Sequence, residues 1–241
     1  DESDGDRDVV TKISDSFKEF DNVKNLEDID LDQDTTINIG RGTYTPDDVD
    51  VVNDSITVQP AGDGVVIFQA ETNVGGSMFN MSTTDDVTFR DVTFDFDKRS
   101  DLARAVNVSQ QAGDITFDNV AFQSPPADAA QDAITVSNAS GSLTVTGSTF
   151  DARPDTDGAT TAATAINVTD YGTFAGSSDH QLTVEESSFD GYGNGTVSDI
   201  GNSALGSDIV TVNSVTINNN EFANTKIHYE KIGAPGTTDL D

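Results

Sequence analysis

The stretch Val215–Phe222, VTINNNEF, places three consecutive asparagines inside a segment that otherwise alternates like a β-strand. Asparagine is disfavoured in strands, so the run indicates an interruption. Four other segments share the pattern and also end in Phe: VTFRDVTF (87–94), ITFDNVAF (115–122), LTVTGSTF (143–150) and LTVEESSF (182–189). Their final phenylalanines are separated by 28, 28, 39 and 33 residues, a spacing typical of solenoid repeats.

Each of these segments contains one position where the alternation of apolar residues skips. In 87–94, Val87 and Phe89 face one side, and Val92 and Phe94 face that side again after the skip. The skipped positions align as Asp91, Asn119, Gly147, Glu186 and Asn219. Asp, Asn and Gly tolerate a left-handed backbone better than other residues do. The run of asparagines is therefore predicted to be a corner between two short strands.

A second alternating segment precedes each corner, at 78–82, 105–109, 133–137, 165–169 and 209–213. Each repeat thus contains about three short strands with two or three inward residues each. The region 37–69 alternates similarly and is interpreted as having a G-x-Y corner at Gly42–Tyr44. Together these patterns predict an all-β chain, a single right-handed parallel β-helix of six to seven coils.

Three regions are predicted. Residues 1–34 form an N-terminal cap, because apolar residues at positions 9, 13, 17 and 20 have the spacing of an amphipathic helix. Residues 35–225 form the β-helix, and residues 226–241 form a last strand and a tail. Both ends of such a stack have unpaired strand edges and core residues that must be covered.

The charge of the chain constrains its partners. Its 241 residues include 43 acidic and 12 basic ones, which gives a net charge of −31. Repulsion within such a chain is screened at about molar salt, where the Debye length falls to ~3 Å. The composition resembles that of proteins from halophilic archaea and their viruses. It argues against nucleic acid as a partner.

No apolar window is long enough for a membrane span, and the chain contains no cysteine.

The corner segments, INIGRGTY (37–44) and DAITVSNASGSLTVTGSTF (132–150) resemble the pectate-lyase-like β-helix superfamily, including its carbohydrate-binding and sugar-hydrolysis branch. The resemblance spans about residues 35–225 and implies architecture more than activity, because that fold carries lyases, hydrolases, tailspikes and non-catalytic adhesins. A lyase would imply a Ca²⁺-binding Asp cluster beside an Arg or Lys base. Arg90 and its neighbouring arginines lie among aspartates, an arrangement more typical of salt bridges.

A hydrolase of this superfamily would imply paired aspartates, a Gly-His pair and an Arg-x-Lys. The only partial match is DTDG (155–158). No catalytic residue, metal ligand or cofactor is therefore predicted, although the aspartate content keeps Ca²⁺ possible.

Two repeats are longer than the others, with extra residues at about 152–163 and 171–181. Insertions in a solenoid emerge as loops on one face, often the binding face. Aromatic rings beside polar residues bind sugars by stacking and hydrogen bonding, so the predicted ligand-binding residues are Tyr171, Phe174, His180 and Tyr192. Six N-x-S/T sequons are candidate glycosylation sites, at Asn53, Asn80, Asn107, Asn138, Asn167 and Asn194.

These observations favour a non-enzymatic extracellular protein of a halophile, part of a surface filament or layer or of a virion spike. The expected partners are a surface glycan, an S-layer-type protein, or further copies of the chain joined through the ends of the helix. Two alternatives stay open: a polysaccharide lyase or glycoside hydrolase acting on an acidic surface glycan, and a calcium-dependent adhesion module.

Overall fold

Parallel β-strands form the part of the protein that the structure describes. The computed structural model describes residues 35–44, 46, 49–51, 55–69, 76–82, 85–96, 104–109, 113–123, 132–139, 141–151, 161–171, 181–194, 214–223 and 237–240. All regular secondary structure in these ranges is β-strand. The predicted N-terminal helical cap (1–34) lies outside the described residues.

Three parallel sheets and one additional strand pair contain all of these strands. The first sheet contains, in spatial order, β1 (Thr35–Ile39), β4 (Ile56–Pro60), β7 (Val87–Arg90), β10 (Ile115–Asp118), β13 (Leu143–Thr146), β17 (Gln181–Glu185), β20 (Ser214–Asn218) and β22 (Thr237–Leu240). The second contains β2 (Gly42–Tyr44), β5 (Val66–Gln69), β8 (Val92–Asp95), β11 (Ala121–Gln123), β14 (Thr149–Asp151), β18 (Ser188–Asp190) and β21 (Glu221–Ala223).

The third sheet contains β3 (Val49–Val51), β6 (Ser77–Met81), β9 (Arg104–Ser109), β12 (Asp132–Ala139) and β16 (Ile166–Tyr171), and the extra pair is β15 (Thr161–Thr164) with β19 (Tyr192–Asn194). From β1 to β14 the chain visits the first, second and third sheets in turn and then returns to the first, one strand further along. In the next two coils the extra pair intervenes: β15 precedes β16 of the third sheet, and β19 takes the place of a third-sheet strand between β18 and β20. This winding is consistent with a parallel β-helix. The predicted corner at Gly42–Tyr44 is wrong, since these residues form β2 and the chain turns just before them, at Gly40–Arg41.

The corners between the first and second sheets lie at the positions that the sequence predicts. Four non-glycine corner residues have left-handed φ angles: 55° at Asp91, 55° at Asn119, 52° at Glu186 and 55° at Asn219. Gly147, which occupies the same position in its own coil, has φ 56°. A single left-handed residue redirects the strand, so the next apolar side chain again faces the core. The prediction of corners is confirmed, including for glutamate, which tolerates this conformation poorly.

Backbone groups at the corners are satisfied by the following coil. The Asn119 N–H donates to the Thr146 carbonyl (2.9 Å), and the Gly147 N–H donates to the Glu185 carbonyl (3.1 Å). An unpaired buried N–H would be costly, so these contacts fix how successive coils stack.

One position further along, side chains perform the same task. The Val120 N–H donates to Ser148 Oγ (3.1 Å), and the Ser148 N–H donates to Ser187 Oγ (3.2 Å). The Ser187 N–H donates to Asn220 Oδ1 (2.8 Å). Within VTINNNEF, therefore, Asn219 forms the left-handed corner and Asn220 pairs with the preceding coil.

Aromatic rings run through the core as a column along the second sheet. Phe94 stacks on Phe122 with centroids 5.1 Å apart, and Phe122 stacks on Phe150 at 4.7 Å. Phe150 and Phe189 are 4.6 Å apart, and Phe222 continues the column 5.1 Å beyond Phe189. Because the rings of successive coils lie within 10° of parallel, each coil specifies the position of the next.

The outward side of the first sheet presents a row of threonines. Directly paired positions on successive strands are Thr36, Thr57, Thr88, Thr116, Thr144, Thr183 and Thr216. Threonine suits this position because its branched side chain packs on a pleated, half-exposed surface. The row ends opposite Asp239 of β22, so the chain's last described strand extends this sheet within the segment 226–241.

Candidate functional site

The aromatic residues predicted to bind a ligand are only partly within the described residues. Tyr171 is the last residue of β16 in the third sheet, and Tyr192 is the first residue of β19 in the separate strand pair. Thr161, at the end of the first inserted segment, pairs with Tyr192. Phe174 and His180 lie outside the described residues, so the aromatic site stays a prediction.

Three of the predicted glycosylation sites share one row on the third sheet. Asn80 pairs with Asn107, and Asn107 pairs with Thr135, which in turn pairs with Asn167. All three asparagines are half-buried. Asn138 and Asn194 are strand residues, and Asn53 lies outside the described residues. The three sites therefore share one register, whereas glycosylation stays a prediction.

Hydrogen bonds link the first two members of this row. Asn107 Nδ2 donates to Asn80 Oδ1 at 3.3 Å, and the Arg104 guanidinium donates to Asn107 Oδ1 at 2.8 Å. A glycan on Nδ2 would replace one of its two hydrogens and leave the other for such a contact. Glycosylation of this row therefore requires that the half-buried amide nitrogen be accessible to the glycosylating enzyme from the outer face of the sheet.

Asp132 organises the far end of the row, a structural role that the sequence analysis did not predict. Asn167 Nδ2 donates to Asp132 Oδ2 at 2.7 Å, and Thr135 Oγ1 donates to the same oxygen at 3.3 Å. The Thr164 N–H donates to Asp132 Oδ1 at 3.3 Å. With both oxygens engaged, this carboxylate holds β12, β15 and β16 together. Its sequence signal is masked by the 43 acidic residues of the chain.

The predicted interpretation of Arg90 as a salt-bridge residue is confirmed. Its Nε lies 2.8 Å from Asp118 Oδ2, and the two side chains are 47% and 40% exposed. Such an exposed pair contributes little to stability, about 0–1 kcal/mol. Arg90 is therefore paired with Asp118 at the surface.

An open hollow of about 590 Å³ lies at the corner of the second coil. There the chain needs five residues, Ala61–Val65, to pass from β4 to β5, where later coils use one or two. The longer corner, which we call the corner ledge (residues 61–65), overhangs Asp91 and Asn119 of the next two coils. The hollow therefore arises from a difference in corner length between neighbouring coils.

The corner ledge is fixed from the side of the first coil. The Ala61 N–H donates to the Ile39 carbonyl at 2.8 Å, and the Gly42 N–H donates to the Val65 carbonyl at 3.0 Å. Gly64 packs so closely that a Cβ there would lie 2.4 Å from the Cβ of Arg41. Glycine at this position is thus required for the ledge to close against the first coil.

The side chains lining the hollow combine two carboxylates with neutral amide and hydroxyl groups. Asp63 is exposed and makes no hydrogen bond or ion pair with the described part of the chain. Asp91 Oδ1 accepts a hydrogen bond from Asn119 Nδ2 at 2.6 Å, which leaves Oδ2 available. Val65, 63% exposed, is the one large hydrophobic side chain among the described residues that stands out in solvent. The signal that could have located this hollow is the sequence AGDGV (61–65), an insertion at a corner.

Comparisons with known proteins found no match among family models, curated proteins or solved structures. Among the described residues, no group of three or more His, Cys, Asp or Glu side chains is arranged to hold a metal ion. The part of the chain that the structure describes contains no helix long and apolar enough to cross a membrane.

Proposed function

We propose that this chain is a non-enzymatic structural and adhesive protein on the outside of a halophile's cell or virion. In this proposal it is a right-handed β-helix of six to seven coils, closed by an N-terminal helical cap, and part of a filament, a layer or a spike that binds surface glycans. The observation that carries the proposal is the continuous stacking of Phe94, Phe122, Phe150, Phe189 and Phe222 through one core.

Such stacking favours a mechanical role because it makes the array stiff along its axis. The eight strands of the first sheet span about 34 Å at the usual strand spacing of ~4.8 Å. Each coil contacts only its neighbours, so the array supplies reach and a long lateral surface. Its ends are the natural sites for assembly with other copies.

The charge of −31 supports placement in concentrated salt. Self-repulsion opposes the compact state and is relieved as the Debye length falls from about 30 Å at 0.01 M to ~3 Å at 1 M salt. We expect the thermal unfolding midpoint to rise steadily with NaCl over this range. A midpoint that is independent of NaCl would contradict the halophilic assignment.

Immunogold electron microscopy tests the location directly. Antibody against the chain should label filaments, the cell envelope or virions in regular arrays, and label confined to the cell interior would refute the proposal. The enzymatic alternative predicts new reducing ends when acidic polysaccharides are incubated with the protein, and turnover abolished by changing one aspartate would replace our proposal. The calcium alternative predicts that a chelator releases the protein from its surface.

A further inference from the structure

We propose that the hollow beneath the corner ledge (residues 61–65) binds a short neutral glycan and rejects glycans that carry acidic groups. The inference rests on the proposed adhesive function and names the class of glycan. It concerns a site separate from the predicted aromatic one. The volume of about 590 Å³ falls within the range of roughly 300–1,000 Å³ that is typical of small-ligand sites.

The polarity of the lining selects a ligand rich in donors. Asp63 and Asp91 offer carboxylate oxygens, and Gln59, Thr93 and Asn119 add amide and hydroxyl groups. Gln59 donates through Nε2 to Asn38 Oδ1 at 2.9 Å and keeps its amide oxygen as an acceptor. Sugar hydroxyls donate hydrogen bonds to such acceptors, and bonds to charged acceptors are the stronger ones.

The charge of the hollow excludes acidic sugars. No Lys, Arg or His is among its described lining residues, while two carboxylates are. A uronate, sulfate or sialic acid placed there would meet like charge with no cation among the lining side chains, and desolvating it would add to the penalty. Neutral hydroxyls meet neither obstacle.

The apolar side of the hollow provides the second element of sugar recognition. Val65 is 63% exposed on the ledge, and Pro60 and Ala121 line the same space. Their carbon surface can cover the C–H face of a pyranose ring while its hydroxyls reach the acceptors. A cation alone would gain nothing from this surface, which is why we assign a glycan to the site.

The site is preorganised, which lowers the entropic penalty of binding. Backbone hydrogen bonds to the first coil fix both ends of the ledge, and Gly64 packs on Arg41. The floor is held as well, because the backbone N–H groups of Asp91 and Asn119 donate to carbonyls of the coils that follow them. Gly62 faces open space, since a Cβ there would meet no atom within 4 Å.

The test uses the full chain in molar NaCl with neutral trisaccharides of glucose, mannose, galactose and N-acetylglucosamine, and with trigalacturonate as the acidic probe. Binding is measured by saturation-transfer NMR and calorimetry. We expect at least one neutral trisaccharide to bind and trigalacturonate not to bind. Asp63→Asn and Val65→Ser should each weaken binding by about tenfold, the loss typical of one good contact.

Two further variants make the result specific. Gly62→Phe should abolish binding by filling the hollow, while Glu221→Gln, which removes an exposed carboxylate at the far end of the second sheet, should leave it unchanged. All variants lie at exposed positions, and their unfolding midpoints verify that they fold.

Three results would overturn the inference: no neutral probe binds, the ledge variants bind like the wild type, or trigalacturonate binds equally well. None of these results affects the immunogold test, so failure of the glycan site and failure of the proposed function are distinguishable.

Discussion

Gly147→Ala measures how much the left-handed backbone at one corner contributes to the free energy of unfolding, because it changes little else. The glycine has φ 56°, and a Cβ added there would come no closer than 3.9 Å to any neighbour, the backbone nitrogen of Asn119. The substitution therefore introduces no steric overlap between coils. What remains is the backbone penalty of a left-handed L-residue, about 1–2 kcal/mol. Restricting the unfolded chain offsets about 0.4–1 kcal/mol of it, so the net loss should be about 1 kcal/mol.

Two matched variants sharpen this prediction. Gly147→Asn should lose less than Gly147→Ala, because asparagine tolerates the left-handed region. Gly62→Ala, at a glycine with open space and without a left-handed φ, should leave the stability unchanged or raise it by about 0.4–1 kcal/mol.

The assay is urea unfolding at fixed high salt, followed by circular dichroism and compared through the midpoint at constant m-value. If Gly147→Ala is as stable as the wild type, or if Gly62→Ala is the more damaging of the two alanine variants, the corner reasoning is refuted.

The remaining predictions concern the core and the pH response. Phe122→Ala removes a fully buried ring stacked between two others, so it should lower the free energy of unfolding by about 3–5 kcal/mol. Phe222→Ala, at the half-buried end of the column, should lower it clearly less. Equal losses of free energy in urea unfolding would contradict a continuous column. Burial raises the pKa of Tyr44 above 10.0, and its hydroxyl donates to the Gly40 carbonyl at 2.6 Å. The neutral phenol is thus favoured in the folded state, so this contribution to stability is present below pH 10.0 and is lost as the pH rises through the folded-state pKa. As the pH rises above 10.0, the thermal unfolding midpoint should fall more steeply for the wild type than for Tyr44→Phe. Parallel plots of midpoint against pH for the two proteins would contradict this.

The sequence predicts this fold well because its signals are local and repeated. A left-handed corner needs Asn, Asp or Gly, and the recurrence of those residues at one register located even Glu186, whose type alone would not predict a corner. The final phenylalanines located the ring column by the same logic. The corners follow from the backbone preference of the residue at each corner, and the ring column follows from the tendency of each phenylalanine to be buried.

Features made by several coils together are harder to predict. Asp132 links three strands that are distant in sequence, and nothing distinguishes it from the other acidic residues until the register is known. The hollow depends on a long corner lying above two short ones, so it is a property of neighbouring coils and not of any motif. Three of the four residues of the predicted aromatic site, Tyr171, Phe174 and His180, belong to the second inserted segment (171–181), which the repeat pattern does not cover.

Disulfide cross-linking tests the central claim, that repeats 28 residues apart stack in direct register. Thr88 and Thr116 are paired on adjacent parallel strands, where α-carbons lie about 4.8 Å apart, within the ~4.4–6.8 Å that a disulfide spans. Thr88 and Thr144 are two strands apart, at about 9.6 Å, beyond that reach. The chain has no cysteine of its own to interfere.

The measurement is peptide mass spectrometry after mild oxidation of dilute protein. The double variant Thr88→Cys/Thr116→Cys should form its intramolecular disulfide nearly completely, while Thr88→Cys/Thr144→Cys should stay reduced. Efficient cross-linking of the second pair, or none of the first, would contradict the stacked array.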